Sequence, residues 1–411
     1  MKRISFAALA TAMVAIASPA GAQDMKAEVI HWWTSGGESA AVKVFADQFN
    51  KAGGNWVDNA IAGGANARTA AINRTVGGNP PTAMQFNTGK QFDDLVENNL
   101  LADLDGLASE QKWKSIMPEA IINAVTRNGK VFAVPVNIHG QNWLWYNKSV
   151  LDKAGVPEPK NWDETIAALD KIKATGVIPL AFSGQKNWER GLFNAVLVGK
   201  GGPKLWVGIY GKQDATLAAT PEFKAVAATY KKLRDYVDAG APGRNWNDAT
   251  TLVIQGKAGM QIMGDWAKGE FVSAGQTAGK EYGCTVLSGQ GVGYVMGGDV
   301  FAFPKLKDAN QQKAQLALAK IMLEPDTQIK FAQKKGSIPV RLDVDSSSLD
   351  QCAQKAMTWL KDSSQQIPAQ EMLSPPALTG AMEDVISQFW NTSMTVDQFS
   401  AKVADALKQQ F

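Results

Sequence analysis

The first part of the chain repeats one pattern of apolar and polar positions. "EVIHWW", residues 28–33, is rich in strand-forming residues, and Val42, Phe45 and Phe49 then recur at the spacing of a helix. "WVDNAIAG" and "TAMQF" indicate two further strands, each followed by a helical pattern. Three strand–helix units of this size predict an α/β protein with an open sheet of parallel strands.

Two later segments are rich in strand-forming residues and carry almost no helical signal. They are "KVFAVPVNIHGQNWLWYN" (130–147) and "GYVMGGDVFAFPKL" (293–306). Between them lies a long amphipathic helical pattern that begins with Thr220, a good N-cap residue, followed by Pro221. Two such crossings predict two α/β lobes joined by more than one strand. The predicted boundaries are 23–133 and 302–350 for lobe 1, and 134–301 and 351–411 for lobe 2.

The N-terminus has the layout of a secretory signal peptide. Lys2 and Arg3 precede the apolar run "ISFAALATAMVAIASPA", and Ala20-Gly21-Ala22 fits a small-residue cleavage site. We expect residues 1–22 to be removed and the mature chain to begin near Gln23; an uncleaved membrane anchor is the alternative.

Composition and charge narrow the class of protein. The chain has 411 residues, of which 45% are hydrophobic and 20% charged, and this suits a large globular protein of about two domains. Loss of Lys2 and Arg3 lowers the formal charge from +3 to +1, and no cluster of Lys and Arg is visible. Nothing therefore indicates a nucleic-acid partner.

The chain has two cysteines, Cys284 and Cys352. Export to an oxidising compartment favours a disulfide between them, and two separate buried thiols are the alternative. Their wide separation excludes a CxxC redox or zinc pattern.

Familiar catalytic motifs are missing. His31 and His139 are the only histidines, and neither belongs to an HExxH or clustered arrangement, so a catalytic metal and a cofactor are not expected. No GxSxG, P-loop or GxGxxG motif occurs in a suitable context. A glycosidase carboxylate pair stays open, because such pairs are not local in sequence. The balance favours a binding protein over an enzyme.

Two adjacent tryptophans end the first predicted strand. Successive side chains of a strand point to opposite faces, so one of Trp32 and Trp33 can pack in the core while the other faces a cleft. The polar loop "TSGGES" then brings Glu38 into the first turn of the next helix. A tryptophan face beside a carboxylate suits a sugar, because the indole packs on the ring and the carboxylate accepts hydroxyl hydrogen bonds. The alternatives are core packing for both tryptophans and a helix-dipole role for Glu38.

Six stretches spread over most of the chain carry a family resemblance: "VIHWWTSGGESAA", "VPVNIHGQNWLWYNK", "RNWNDAT", "MQIMGDWAKGEF", "GYVMGGDVFAFP" and "KGSIPVR". Together they resemble the family 1 extracellular solute-binding proteins of carbohydrate ABC transporters, in the branch that binds glucose and mannose. The resemblance implies a periplasmic-binding-protein type II fold, in which two α/β lobes joined by hinge strands close on a ligand in the cleft between them.

The resemblance also implies a set of ligand-binding residues: Trp32, Trp33, Glu38, Lys90, His139, Trp246, Trp266, Asp299 and Lys335. Trp246 and Trp266 are expected to sandwich the sugar ring, and Asp299 to supply a second carboxylate. From the residues alone, Asp299 also suits a turn, Lys335 a solvated lysine, and His139 a histidine satisfied between lobes.

Two departures from the glucose-binding pattern affect the expected ligand. Gly140 stands where those proteins carry an arginine, and Gln370 and Glu371 stand where they tend to carry a histidine. The implied function is capture of a glucose- or mannose-like hexose in the periplasm and delivery to the membrane permease of an ABC importer. A disaccharide or small glycoside is the first alternative, and a secreted carbohydrate-active enzyme using Glu38 and Asp299 is the second. We expect a monomer.

Overall fold

The computed structural model describes residues 25–287 and 293–409. The predicted signal peptide, residues 1–22, lies outside the described residues. The strands are β1 (Met25–His31), β2 (Gly54–Ala60), β3 (Ala83–Asn87), β4 (Thr126–Arg127), β5 (Lys130–Val131), β6 (Ala133–Pro135), β7 (His139–Gly140), β8 (Trp143–Asn147), β9 (Ile178–Leu180), β10 (Ala258–Ile262), β11 (Tyr282–Val286), β12 (Tyr294–Gly297), β13 (Asp299–Ala302) and β14 (Gln366–Pro368).

Helices alternate with the strands and pack against the sheets. They are α1 (Gly36–Lys51), α2 (Gly64–Val76), α3 (Asp93–Glu97), α4 (Asp105–Glu110), α5 (Trp113–Ile116), α6 (Glu119–Ala124), α7 (Lys148–Ala154), α8 (Trp162–Ala174), α9 (Lys186–Tyr210), α10 (Pro221–Lys232), α11 (Trp246–Ile254), α12 (Ala267–Ser273), α13 (Ala309–Met322), α14 (Pro325–Lys335), α15 (Gln351–Trp359), α16 (Gln370–Leu373), α17 (Pro376–Asn391) and α18 (Val396–Lys408). Within residues 25–287 and 293–409, no helix is both long and apolar enough to cross a membrane.

The first sheet has five strands in the order β2-β1-β3-β13-β6. Strand β1 pairs in parallel with both β2 and β3, which confirms the predicted parallel strand–helix units. Strand β13 returns from far along the sequence and pairs antiparallel with β3 and β6. The sheet is therefore built from the first part of the chain and one late strand.

A second sheet has four strands in the order β11-β8-β10-β9, and a small third sheet has the order β14-β12-β7. The chain leaves the first sheet after β6, passes through β7 and enters the second sheet at β8. It returns from β11 through β12 to β13. The predicted crossings are thus confirmed as connections between the two large sheets. The predicted lobe boundaries, 133/134 and 301/302, fall inside strands β6 and β13 and stay a prediction.

Local sequence explains the helix starts that matter most for the site. Val42, Phe45 and Phe49 of α1 are buried against the first sheet, as their spacing predicts. The side chain of Ser35 caps α1 by accepting from the backbone N–H of Glu38 at 3.3 Å. Thr220 caps α10 in the same way, which confirms that prediction.

Cys284 of β11 and Cys352 of α15 form a disulfide. The predicted pairing is confirmed, and it ties the helical C-terminal region to the second sheet. Closing a loop across a sequence separation of 68 contributes about 4 kcal/mol by the chain-entropy estimate.

Helices α1, α12 and α14 meet at a seam of three glycines, Gly37, Gly269 and Gly336. A Cβ atom built on Gly37 would lie 2.5 Å from the backbone carbon of Gly269, and one on Gly269 would lie 2.8 Å from the carbonyl oxygen of Lys334. A side chain at any of the three positions would clash with backbone. The backbones can therefore approach this closely only without side chains.

Candidate functional site

The tryptophan pair is split by burial as expected. Trp33 is 1% exposed and packs on Phe301 and Phe331, with ring centroids 5.6 and 5.3 Å away. Trp32 is partly exposed, and the guanidinium carbon of Arg68 lies 5.5 Å from its ring centroid. Trp33 therefore anchors the end of β1 in the core, and Trp32 presents the accessible aromatic face.

Glu38 and Lys335 form a buried ion pair. The side-chain atoms Nζ of Lys335 and Oε1 of Glu38 are 3.2 Å apart, and their side chains are only 2% and 9% exposed. The ammonium of Lys335 also lies 5.6 Å from the ring centroid of Trp33. The structure thus brings Lys335 to two predicted site residues, Trp33 and Glu38, from which it is remote in sequence.

A second glutamate binds the N-terminus of α1. Oε1 of Glu270 accepts from the hydroxyl of Ser35 at 2.6 Å and from the backbone N–H of Gly37 at 3.0 Å. A carboxylate at this end of a helix is stabilised by the dipole and by the free N–H groups. Because Glu270 fills that role, Glu38 is left to pair with Lys335. The helix-dipole alternative for Glu38 does not describe the observed contacts.

His139 lies between two carboxylates. Its Nδ1 contacts Oδ1 of Asp265, and its Nε2 lies 2.9 Å from Oδ2 of Asp299. Burial works to lower the pKa of His139, but the charges of Asp265 and Asp299 outweigh burial and raise that pKa to about 9. Burial likewise works to raise the pKa of Asp299, yet the charge of His139 leaves it lowered. His139 is therefore an imidazolium at neutral pH, buried between the side chains of Asp265 and Asp299.

Each carboxylate oxygen of Asp299 already has two hydrogen-bond partners in the protein. Gln85 and Asn87 donate to Oδ1 at 3.1 and 3.2 Å. Asn137 donates to Oδ2 at 2.9 Å, beside the contact with His139. A carboxylate can accept about four hydrogen bonds, so these contacts occupy the acceptor positions of Asp299 in this conformation. A sugar contact by Asp299 stays a prediction, and it would require one of these bonds to be replaced.

The predicted sandwich residues lie near a tryptophan that the sequence analysis did not select. Trp188, in the first turn of α9, has its ring centroid 6.3 Å from that of Trp246 and 5.8 Å from that of Trp266. All three rings are partly exposed. Trp266 also meets the ring of His139 edge-on at 5.2 Å. The aromatic surface is therefore larger than predicted and adjoins the charged group.

Lys90 is exposed at the start of a short 3-10 helix, Lys90–Phe92, and contacts none of the other predicted site residues through the hydrogen bonds and ion pairs of the described chain. Its neighbour Gly89 packs directly on the backbone of Glu371. Oε1 of Glu371 accepts from Gln141 at 2.7 Å, and burial raises the pKa of Glu371. One of the two departures from the glucose-binding pattern, at Glu371, therefore lies beside the loop of Lys90.

Geometry groups seven of the nine predicted residues in two sets. In the first, Lys335 contacts Glu38 and lies near the ring of Trp33. In the second, His139 contacts both Asp299 and Trp266, and Trp246 adjoins Trp266 through Trp188. Asp265 and Trp188 were missed, because their contacts join residues remote in sequence. In the described chain no three His, Cys, Asp or Glu side chains are placed to hold a metal ion.

Comparison with known proteins gives the class. The family model for bacterial extracellular solute-binding proteins matches residues 45–358. A "probable sugar-binding periplasmic protein" of Brucella melitensis is 37% identical over 406 residues, 96% of this chain and 96% of the relative. The chain therefore belongs to the bacterial extracellular solute-binding proteins.

Solved structures agree on the fold. The bacterial solute receptor AcbH, described as having an exclusive preference for β-D-galactopyranose, superposes with a TM-score of 0.80 at 18% identity, covering 93% of this chain and 97% of the receptor. Maltose-bound MalE3 of T. maritima superposes with a TM-score of 0.77 at 18% identity, covering 93% and 99%. The fold is the periplasmic-binding-protein type II fold, as the resemblance implies. The glucose/mannose branch stays a prediction.

Proposed function

We propose that this protein is a periplasmic sugar receptor that captures a hexose or small glycoside between its lobes and delivers it to the permease of an ABC importer. The proposal rests on the partly exposed rings of Trp32, Trp246 and Trp266 and on the buried Glu38–Lys335 ion pair. Aromatic faces pack on sugar rings, and charged groups in a dry site make the strong hydrogen bonds to hydroxyls. The name of the Brucella relative supports the same class of ligand.

Within this proposal the sugar contacts are assigned to particular residues. Trp32, Trp246 and Trp266 supply aromatic faces, and Glu38 and Lys335 supply an acceptor and a donor. Lys90 approaches from the exposed loop, and Asp299 and His139 line the inner end of the site. The lobes are taken as residues 23–133 with 302–350, and 134–301 with 351–411, after removal of a signal peptide.

The choice between one sugar ring and two is the finer part of the proposal, and we favour a glucose- or mannose-like hexose. AcbH and MalE3 have the same fold and are described with a monosaccharide and a disaccharide respectively, so the fold alone supports either. The ring of Tyr294 occupies the space beside Gly140, because a Cβ atom built there would lie 2.3 Å from it, so the lack of an arginine at this position does not widen the site.

An enzymatic role is less well supported than a receptor role. A glycosidase needs one carboxylic acid and one free carboxylate facing the scissile bond. Here Glu38 is paired with Lys335, and Asp299 accepts from four donors. We therefore propose that the protein returns its sugar unchanged.

The decisive experiment is mass spectrometry of the small molecule released by denaturing protein purified from its native periplasm. We expect the mass of a single hexose, and a disaccharide mass would support the alternative ligand. Calorimetric titration with D-glucose, D-mannose, D-galactose and maltose then measures affinity, and chromatography of the recovered sugar tests for hydrolysis. Absence of binding across the panel together with no released carbohydrate would contradict the proposed function, and cleaved maltose would indicate an enzyme.

A further inference from the structure

Asp265 lies in the loop between β10 and α12, directly before Trp266, and it is 2% exposed. Its carboxylate contacts two separate connections between the large sheets. Oδ1 contacts Nδ1 of His139, and Oδ2 accepts from the backbone N–H of Gly140 at 2.8 Å. Oδ2 also accepts from the hydroxyl of Tyr294 at 3.3 Å. His139 and Gly140 form β7 in the first connection, and Tyr294 begins β12 in the second.

The backbone of Asp265 contacts the same region. Its N–H donates to the carbonyl of Gly140 at 3.0 Å. Its carbonyl oxygen lies so close to Gly336 that a Cβ atom there would clash with it. Gly336 begins the third connection, which leads from α14 to α15, and Ile338 in that segment exchanges backbone hydrogen bonds with Ile138 at 3.0 Å. One residue therefore touches all three connections between the lobes.

We propose that Asp265 is a positioning residue that ties the loop carrying Trp266 to the interlobe connections, so that seating a sugar on Trp266 depends on the arrangement of the lobes. This inference rests on the proposed sugar-binding function for its ligand. The carboxylate does not need to touch the sugar, since its oxygens are occupied by His139, Gly140 and Tyr294.

The negative charge of Asp265 is essential for holding the loop of Trp266 against the interlobe connections. An imidazolium held between two buried carboxylates loses much of its stabilisation when either carboxylate is neutralised. Asp265→Asn keeps the size of the side chain but removes that charge and places an amide against donors. We expect the loop of Trp266 to lose its fixed position relative to β7 and β12, while the sheets remain folded.

Glu189 provides a matched control. It is a buried carboxylate, 2% exposed, in α9, and its Oε1 accepts from Asn391 at 2.8 Å. None of its side-chain hydrogen bonds reaches the three connections. Glu189→Gln therefore removes a buried charge of the same kind without touching the tie.

The first measurement needs no sugar. Lys43 in α1 and Lys408 in α18 have side chains 68% and 66% exposed and lie on helices of different lobes. Because free thiols are absent from the described chain, cysteines at these two positions take spin labels selectively. Double electron–electron resonance on the ligand-free protein should show a broader or longer distance distribution for Asp265→Asn than for the wild type or Glu189→Gln. Identical distributions for all three proteins would overturn the inference.

The second measurement is a double-mutant cycle on affinity for D-glucose and D-mannose. Asp265→Asn should weaken binding about tenfold or more when Trp266 is present, and less than about threefold in a Trp266→Ala background, because a residue that acts through Trp266 has little left to position. The same factor in both backgrounds would mean that Asp265 acts independently and the inference is wrong. If the wild-type protein binds no sugar, the proposed function fails, and the distance measurement still decides the role of Asp265.

Discussion

Neutralising Glu38 should reduce sugar affinity and also the stability of the ligand-free protein. From the sequence alone, a glutamate in the first helical turn contributes about 0.3–1 kcal/mol through the dipole, so Glu38→Gln should barely change stability. The structure revises that expectation. The partner, Lys335, is buried, and Glu38 lies 3.2 Å from its ammonium.

The magnitude follows from the burial of the pair. Breaking a buried ion pair by changing one partner costs about 3–5 kcal/mol, because the remaining charge is left unpaired. A glutamine oxygen still accepts from Lys335, so we expect about 3 kcal/mol, the lower end of that range. Loss of an acceptor for sugar hydroxyls costs a further 1–3 kcal/mol, roughly, in binding. That corresponds to about tenfold or more in affinity.

Urea denaturation of the ligand-free protein and calorimetric titration with D-glucose separate the two effects. The double variant Glu38→Gln/Lys335→Met removes the orphaned charge, so stability should return to within about 1 kcal/mol of the wild type while affinity stays low. Glu28→Gln, which breaks the ion pair between Glu28 of β1 and Arg74 of α2, is the control and should leave affinity unchanged. Wild-type stability and affinity in Glu38→Gln would refute the reasoning.

Three further predictions concern the disulfide, the closure of the lobes and His139. Thiol labelling under denaturing, non-reducing conditions should find no free thiol, and reduction should destabilise the protein by about 4 kcal/mol, measured by urea denaturation; two labelled thiols would contradict the pairing. We predict that the connections 132–147 and 294–304 act as hinges, so small-angle scattering should give a smaller radius of gyration with bound sugar than without; an unchanged radius would indicate a rigid site or an already closed protein. Asp265 and Asp299 raise the pKa of His139 to about 9, against burial and the opposing charge of Lys335. The imidazolium therefore stabilises the fold fully below about pH 6.5, and this contribution is progressively lost as the pH rises through 9. Wild-type stability should therefore fall more steeply than that of His139→Gln between pH 6.5 and 9, and parallel pH profiles would count against a charged His139.

Sequence reasoning succeeded where neighbours in sequence are neighbours in space. The apolar spacing of Val42, Phe45 and Phe49 locates α1, and the break of pattern after residue 130 locates the first crossing. It gave no prediction for α9, Lys186–Tyr210, because Gly201, Gly202 and Pro203 within that segment are typical of a turn. Gly202 does interrupt the helix, with a φ of 77°.

The site was predicted residue by residue, but its contacts were not. The Glu38–Lys335 pair spans 297 residues and the His139–Asp265 contact spans 126. No local sequence pattern predicts contacts between residues so far apart in the chain. The family resemblance implied a role for each residue but did not say which residues contact one another. In the sequence, Asp265 is one of many polar residues that precede a helix. Its contacts with the three connections are visible only in the structure.

The glycine seam between α1 and α12 gives a means of moving Glu38 without replacing it. An alanine at position 37 would place a methyl carbon 2.5 Å from the backbone of Gly269, so the two helices would have to separate. Glu38 is the next residue on one helix and Glu270 the next on the other, so a separation of even one methyl group would move both carboxylates. Under the proposed assignment of Glu38 to the sugar site, substitution at Gly37 should therefore give a weaker-binding sensor in which every proposed sugar-contacting side chain is kept.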